Sequence, residues 1–149
     1  MAVRRELDRL PNATEDRFGI IRITEADLCR LERHLYQRYP NWEWGTFFQF
    51  GYRRTPWGLN LSFVNGLWPE TDDLDRKVGL TRFHAPYIQR ALHTAASSKL
   101  AVGVVHSHPR GARTWPSRLD DDMDTYFARE FQAYSQGAPY CSLILQRNS

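Results

Sequence analysis

A chain of 149 residues in which 42% of positions are hydrophobic, 13% aromatic and 25% charged reads as a single globular domain, which excludes a fibre, a disordered tail or a tandem array. At this length folding buries roughly 70% of the surface that the unfolded chain exposes, so a core needs neither disulfides nor a structural metal. The 20 basic and 17 acidic residues are interleaved, and the net charge of +3 arises without the long basic run that would mark a nucleic-acid binder.

Cys29 and Cys141 are too few for a disulfide scaffold or a four-cysteine zinc site, and are expected as small buried apolar groups in a reducing compartment. No apolar run approaches the roughly 20 residues of a membrane span. The charged start MAVRRELDRL does not resemble a secretion signal, so no membrane association and a cytoplasmic location are expected.

Residues 1–18 are polar and read as an N-terminal arm, leaving 19–149 as the domain. Residues 19–23 form a short strand pattern. Thr24 then opens a helix, with Asp27 suited to its positive end and Leu28, Leu31 and Leu35 at helical spacing; it stops before Pro40. The aromatic-rich residues 43–52 and the alternating 59–64 predict two strands joined by a Thr55-Pro56-Trp57-Gly58 turn. Residues 65–83, with Glu70, Asp72, Asp73 and Asp75, read as an acidic surface loop in which Trp68 could meet a partner.

His84-Ala85-Pro86 opens a second helix with Ile88, Ala91, Leu92, Ala95 and Ala96 on one face. Residues 101–105 form an apolar strand that delivers His106-Ser107-His108-Pro109. Ser117 begins a third helix carrying Met123, Phe127 and Phe131, ended by Gly137 and Pro139 before a last strand over 140–146. The order β-α-β-β-α-β-α-β predicts an α/β domain with a sheet flanked by helices.

The chemistry concentrates at the end of the apolar strand. In extended chain His106 and His108 project to the same side, so one metal ion can accept a nitrogen from each. Asp120 is the candidate third ligand, because it sits in the first turn of a helix, where a carboxylate is favoured. Two imidazoles and one carboxylate leave a fourth tetrahedral position for water, the pattern of catalytic zinc. A histidine pair alone has many uses, and acids at a helix start ordinarily serve only the helix. It is HSHP followed closely by PSxxD that is specific.

His106-Ser107-His108-Pro109 and Pro116-Ser117-Arg118-Leu119-Asp120, preceded by Glu43 in PNWEWG, resemble the JAMM (MPN+, Mov34/MPN/PAD-1, JAB) zinc metalloprotease family over roughly residues 19–147. The resemblance implies an MPN domain, a cytidine-deaminase-like mixed sheet flanked by helices. It implies one catalytic zinc on His106, His108 and Asp120, Glu43 as the proton carrier and Ser117 as the oxyanion donor. Here eight residues separate His108 from Ser117 where the family has seven, and one residue rather than two separates Glu43 from Gly45. Glu32 and Glu25, on the preceding helix, are poorer alternatives to Glu43.

The implied activity is an isopeptidase or peptidase cutting after the C-terminal glycine of a ubiquitin-like protein, by deconjugation or precursor maturation. The compact, arginine-rich chain resembles bacterial deubiquitinase-like members from operons, antiphage systems included, that also encode E1-like and E2-like enzymes as potential partners. A non-catalytic MPN scaffold and a RadC-like nucleic-acid-associated protein are the alternatives. Trp115, in the loop between the ligands, and the Arg110/Arg113 pair are further residues of interest, the pair for an acidic partner. His34, His84 and His93 lack ligand spacing and are expected to be structural or exposed.

Overall fold

The computed structural model describes residues 18–56, 58–77, 80–111 and 116–147. Strand β1 (Phe18–Arg22) leads into helix α1 (Glu25–Leu35) and a 3-10 turn (Tyr36–Arg38). Strands β2 (Gly45–Thr55), β3 (Gly58–Leu67), β4 (Leu74–Lys77) and β5 (Leu80–Phe83) follow. Helix α2 (Ala85–Ser97), strand β6 (Ala101–Ser107), helix α3 (Arg118–Tyr134) and strand β7 (Ser142–Leu145) complete the order.

Five strands make one mixed sheet, β1-β3-β2-β6-β7, while β4 and β5 pair separately as a hairpin. β2 runs antiparallel to β3 and β6, whereas β7 is parallel to β6, as the crossover through α3 requires. All seven positions of β6 are buried, because helices cover both faces of the sheet there. On one face Phe48, Phe50, Phe63 and Val105 share a core with Leu31 and Leu35 of α1. On the other, Phe47, Val102 and Val104 meet Tyr87 and Ala91 of α2 and Phe127 and Phe131 of α3. This is the helix-flanked α/β sheet that the sequence predicts.

The expected loop over 65–83 needs correcting. β3 continues to Leu67, residues 68–73 are irregular as expected, and β4 pairs with β5, Leu74 opposite Phe83 and both buried. Its acids are not all solvated. Asp73 is buried and takes both ends of the Arg90 guanidinium, while Asp75 Oδ2 lies 2.9 Å from His84 Nε2. Trp68 packs edge-on against His34 beneath Arg30, so it faces α1.

Smaller expectations also shift. Phe18 belongs to β1 and not to the arm, whose other residues lie outside the described ones, as do Trp57, Arg113 and Trp115. Cys141 is buried as expected, but Cys29 is exposed. On α2 the exposed Ala96 yields its expected core place to Tyr87, which is only 1% exposed. Among the described residues no helix is long and apolar enough to cross a membrane.

Tyr87 joins three elements through one hydroxyl. It accepts from Phe47 N at 3.0 Å, donates to Leu67 O at 2.5 Å and lies 2.9 Å from Thr46 Oγ1. Removing that oxygen strands buried partners at the start of β2 and the end of β3. Tyr87→Phe is therefore expected to lower stability by about 1–3 kcal/mol in urea unfolding.

Asp73 gives a pH-dependent test. Burial raises its carboxyl pKa, but the bonds from Arg90 and the Glu70 N–H outweigh burial and hold it below the usual 3.8. A depressed carboxylate contributes stability that is present above the unfolded-state pKa and lost as pH falls through the folded one. Asp73→Asn should lower the urea midpoint at neutral pH, with the gap from wild type closing as the medium is acidified below 3.8.

Candidate metal centre

The site is built at the C-terminal end of β6. Alternation along the strand sends His106 and His108 to one side and Ser107 to the other. The two imidazoles are 2% and 4% exposed, and their Nε2 atoms are 3.1 Å apart. Ser107, on the reverse side, accepts from Trp44 N at 3.1 Å and donates to Leu35 O at 3.0 Å, while its own N–H bonds Trp44 O at 2.9 Å. It thereby fixes the residue next to Glu43 and the last turn of α1.

Asp120 arrives from the first turn of α3. Ser117 is the N-cap: its hydroxyl accepts from Asp120 N at 3.2 Å, and Asp120 Oδ2 accepts from Ser117 N at 2.7 Å, a complete capping box. That box holds the carboxylate toward the histidines, with Oδ1 3.3 Å from His106 Nε2 and Oδ2 3.5 Å from His108 Nε2. Asp121, at the next position, is exposed, so Asp120 is the residue brought to the site.

His106, His108 and Asp120 each offer a ligand atom within 4.8 Å of the others, and all three are buried. An ion bound tetrahedrally at about 2.0–2.1 Å separates its ligand atoms by about 3.3–3.4 Å. The imidazole nitrogens stand 3.1 Å apart and each has one Asp120 oxygen near that spacing, Oδ1 at 3.3 Å from His106 and Oδ2 at 3.5 Å from His108, so the three residues could gather on one metal ion. Burial raises the Asp120 pKa, but hydrogen bonds from the two imidazoles, the charge of His106 and the Ser117 N–H outweigh it and hold the carboxyl far below its ordinary range. An ionised carboxylate is what a cation requires.

Glu43 stands at the edge of this group, with Oε1 4.0 Å from His108 Nε2. Burial raises its pKa, the charges of His106 and His108 and a bond from Thr81 N–H oppose the shift, and the nearby Asp120 adds to it. Glu43, His106 and Asp120 line a small solvent-open recess with Thr81 and Phe83 of β5 and Leu119 and Met123 of α3. Glu32 and Glu25 stay on α1 and do not line it. The structure thus brings Glu43 to the ligands and places Ser117 as the helix cap beside them.

Two participants were not evident in the sequence. Thr81 contributes a backbone N–H from a hairpin that looked like a loop, which no side-chain motif can signal. Asp124, one turn beyond Asp120, lies near enough to His106 to feel its charge and accepts from Tyr140 Oη at 2.8 Å. The i+4 spacing from Asp120 was the available clue. His34, which lacks ligand spacing, is structural as expected, with Nε2 3.0 Å from Gly45 O.

No family model and no curated protein matches the chain, so the reading of the centre rests on its residues and geometry.

The fit to a metal ion is tested by equilibration with divalent metals, desalting and plasma emission spectroscopy. About one ion per chain is expected for the wild type, with near-complete loss in His108→Ala and Asp120→Ala and retention in Asp121→Ala. Ser117→Ala, which removes the cap, should cost about 1 kcal/mol of stability and weaken metal retention with it.

Proposed function

We propose that this chain is a zinc-dependent isopeptidase of the JAMM type, hydrolysing the bond after the C-terminal glycine of a ubiquitin-like protein. The observation that carries the reading is the gathering of two imidazoles and a buried ionised aspartate, with a glutamate of raised pKa beside them on the recess that His106 and Asp120 line. Two imidazoles and one carboxylate are a zinc donor set with a position left over. When bound, the ion supplies a water of lowered pKa and a Lewis acid for the scissile carbonyl.

The chain's own residues supply the rest. Glu43 is held by the Thr81 N–H at the recess, and its raised pKa suits a group that takes a proton from water and returns it to the departing amine. Ser117 accepts from Asp120 N, which leaves its O–H proton to donate to a developing oxyanion. The ubiquitin-like substrate, the E1-like and E2-like partners and the bacterial antiphage setting rest on the HSHP and PSxxD resemblance.

The test is incubation of the zinc-loaded protein with ubiquitin-like proteins extended past their terminal glycine, read by mass spectrometry. Cleavage at that glycine is expected. Glu43→Gln should retain the metal but lose at least about 100-fold in rate. Metal-loaded wild type that leaves every such fusion intact favours the scaffold, and salt-sensitive DNA binding in place of cleavage favours the RadC-like alternative.

A further inference from the structure

Three backbone segments are knitted together beside the metal centre. Arg110 N donates to Pro40 O at 3.0 Å, and His108 N donates to Leu145 O at 3.3 Å. Each segment carries one exposed arginine: Arg38 before Pro40, Arg110 after the second histidine, and Arg147 after β7. The Arg147 guanidinium lies over both Tyr36 and Tyr39, at 5.8 and 5.6 Å, and Arg38 lies over Trp44 at 5.1 Å. Among the described residues none of these three arginines forms an ion pair with a carboxylate. Glu32 lies near Tyr36, raising its pKa after burial does, yet it too leaves Arg147 unpaired.

A guanidinium held over an aromatic ring by its charge keeps N–H edges available, and that planar fork matches a carboxylate bidentately. A nucleic-acid platform differs: its aromatic faces must be bare so that bases can stack on them. Here Tyr36, Tyr39 and Trp44 each have one of the chain's own arginines over the ring. The backbone bonds of Arg110 N to Pro40 O and His108 N to Leu145 O set these arginine-bearing segments beside the second histidine.

We propose that this arginine shelf binds an acidic segment of a polypeptide, rich in Asp or Glu, next to the metal centre. That the polypeptide is the substrate rests on the peptidase reading; the binding itself does not. The experiment is fluorescence anisotropy with labelled oligoglutamate, oligolysine and oligothymidylate at low salt. Oligoglutamate should bind best. Arg110→Ala with Arg147→Ala should weaken it by about tenfold, and each single change by a part of that. Arg53→Ala with Arg54→Ala, an exposed basic pair on β2, should leave it unchanged.

The proposal is overturned if oligoglutamate does not bind, if the β2 pair weakens it equally, or if oligothymidylate binds more tightly. Metal content equal to wild type in the single variants shows that the neighbouring centre is intact and keeps their result decisive. Because the measurement needs no cleavage, oligoglutamate binding in a protein that cuts no fusion counts against the peptidase reading alone.

Discussion

The hydroxyl of Ser107 is the point on which the site depends. An extended strand that sends two imidazoles to one side must send the residue between them to the other. Here that residue closes bonds with Trp44 N and Leu35 O, so the register that aims the histidines also sets the end of α1 and the start of β2. Glu43, one residue before Trp44, inherits its place from this arrangement. A side chain without hydrogen-bonding atoms at position 107 would leave the imidazoles on their strand but lose the reference that brings the carboxylate to them.

Burial on both sides of β6 gives the site its electrostatic character. In a poorly hydrated position a carboxylate is pushed toward its neutral form unless donors compensate. Asp120 has two imidazoles and a backbone N–H within reach, and stays ionised. Glu43 has the Thr81 N–H and more distant imidazoles, and its pKa rises. Two neighbouring carboxylates are thus driven in opposite directions by the partners each has.

Much of this was legible in the sequence because it is local. The HxH spacing and the Ser117–Asp120 cap are each fixed within four residues, and the apolar stripe of α1 appears as Leu31 and Leu35 in the core. The hairpin over 74–83 was not legible. Its strands are four residues each, and Asp73 just before it and Asp75 within it suggest solvation until Arg90 and His84, from α2 and its cap, are brought against them. Tyr87 shares the buried stripe of Ala91 and Ala95, one and two turns on, but the partners that its hydroxyl finds in β2 and β3 lie at least 20 residues away and leave no local signal. Long-range pairing of this kind leaves little trace in composition.

Asp120 holds two positions at once, as the reciprocal half of a helix cap and as a candidate ligand. Whatever free energy the capped first turn of α3 lends to the ion by presenting a carboxylate already oriented, the ion returns to that turn in full, because linkage between two equilibria is symmetric. The onset of α3 therefore acts as a gauge of occupancy. Amide exchange at its first turn should slow as metal activity rises, with no lid, hinge or domain movement needed to carry the signal.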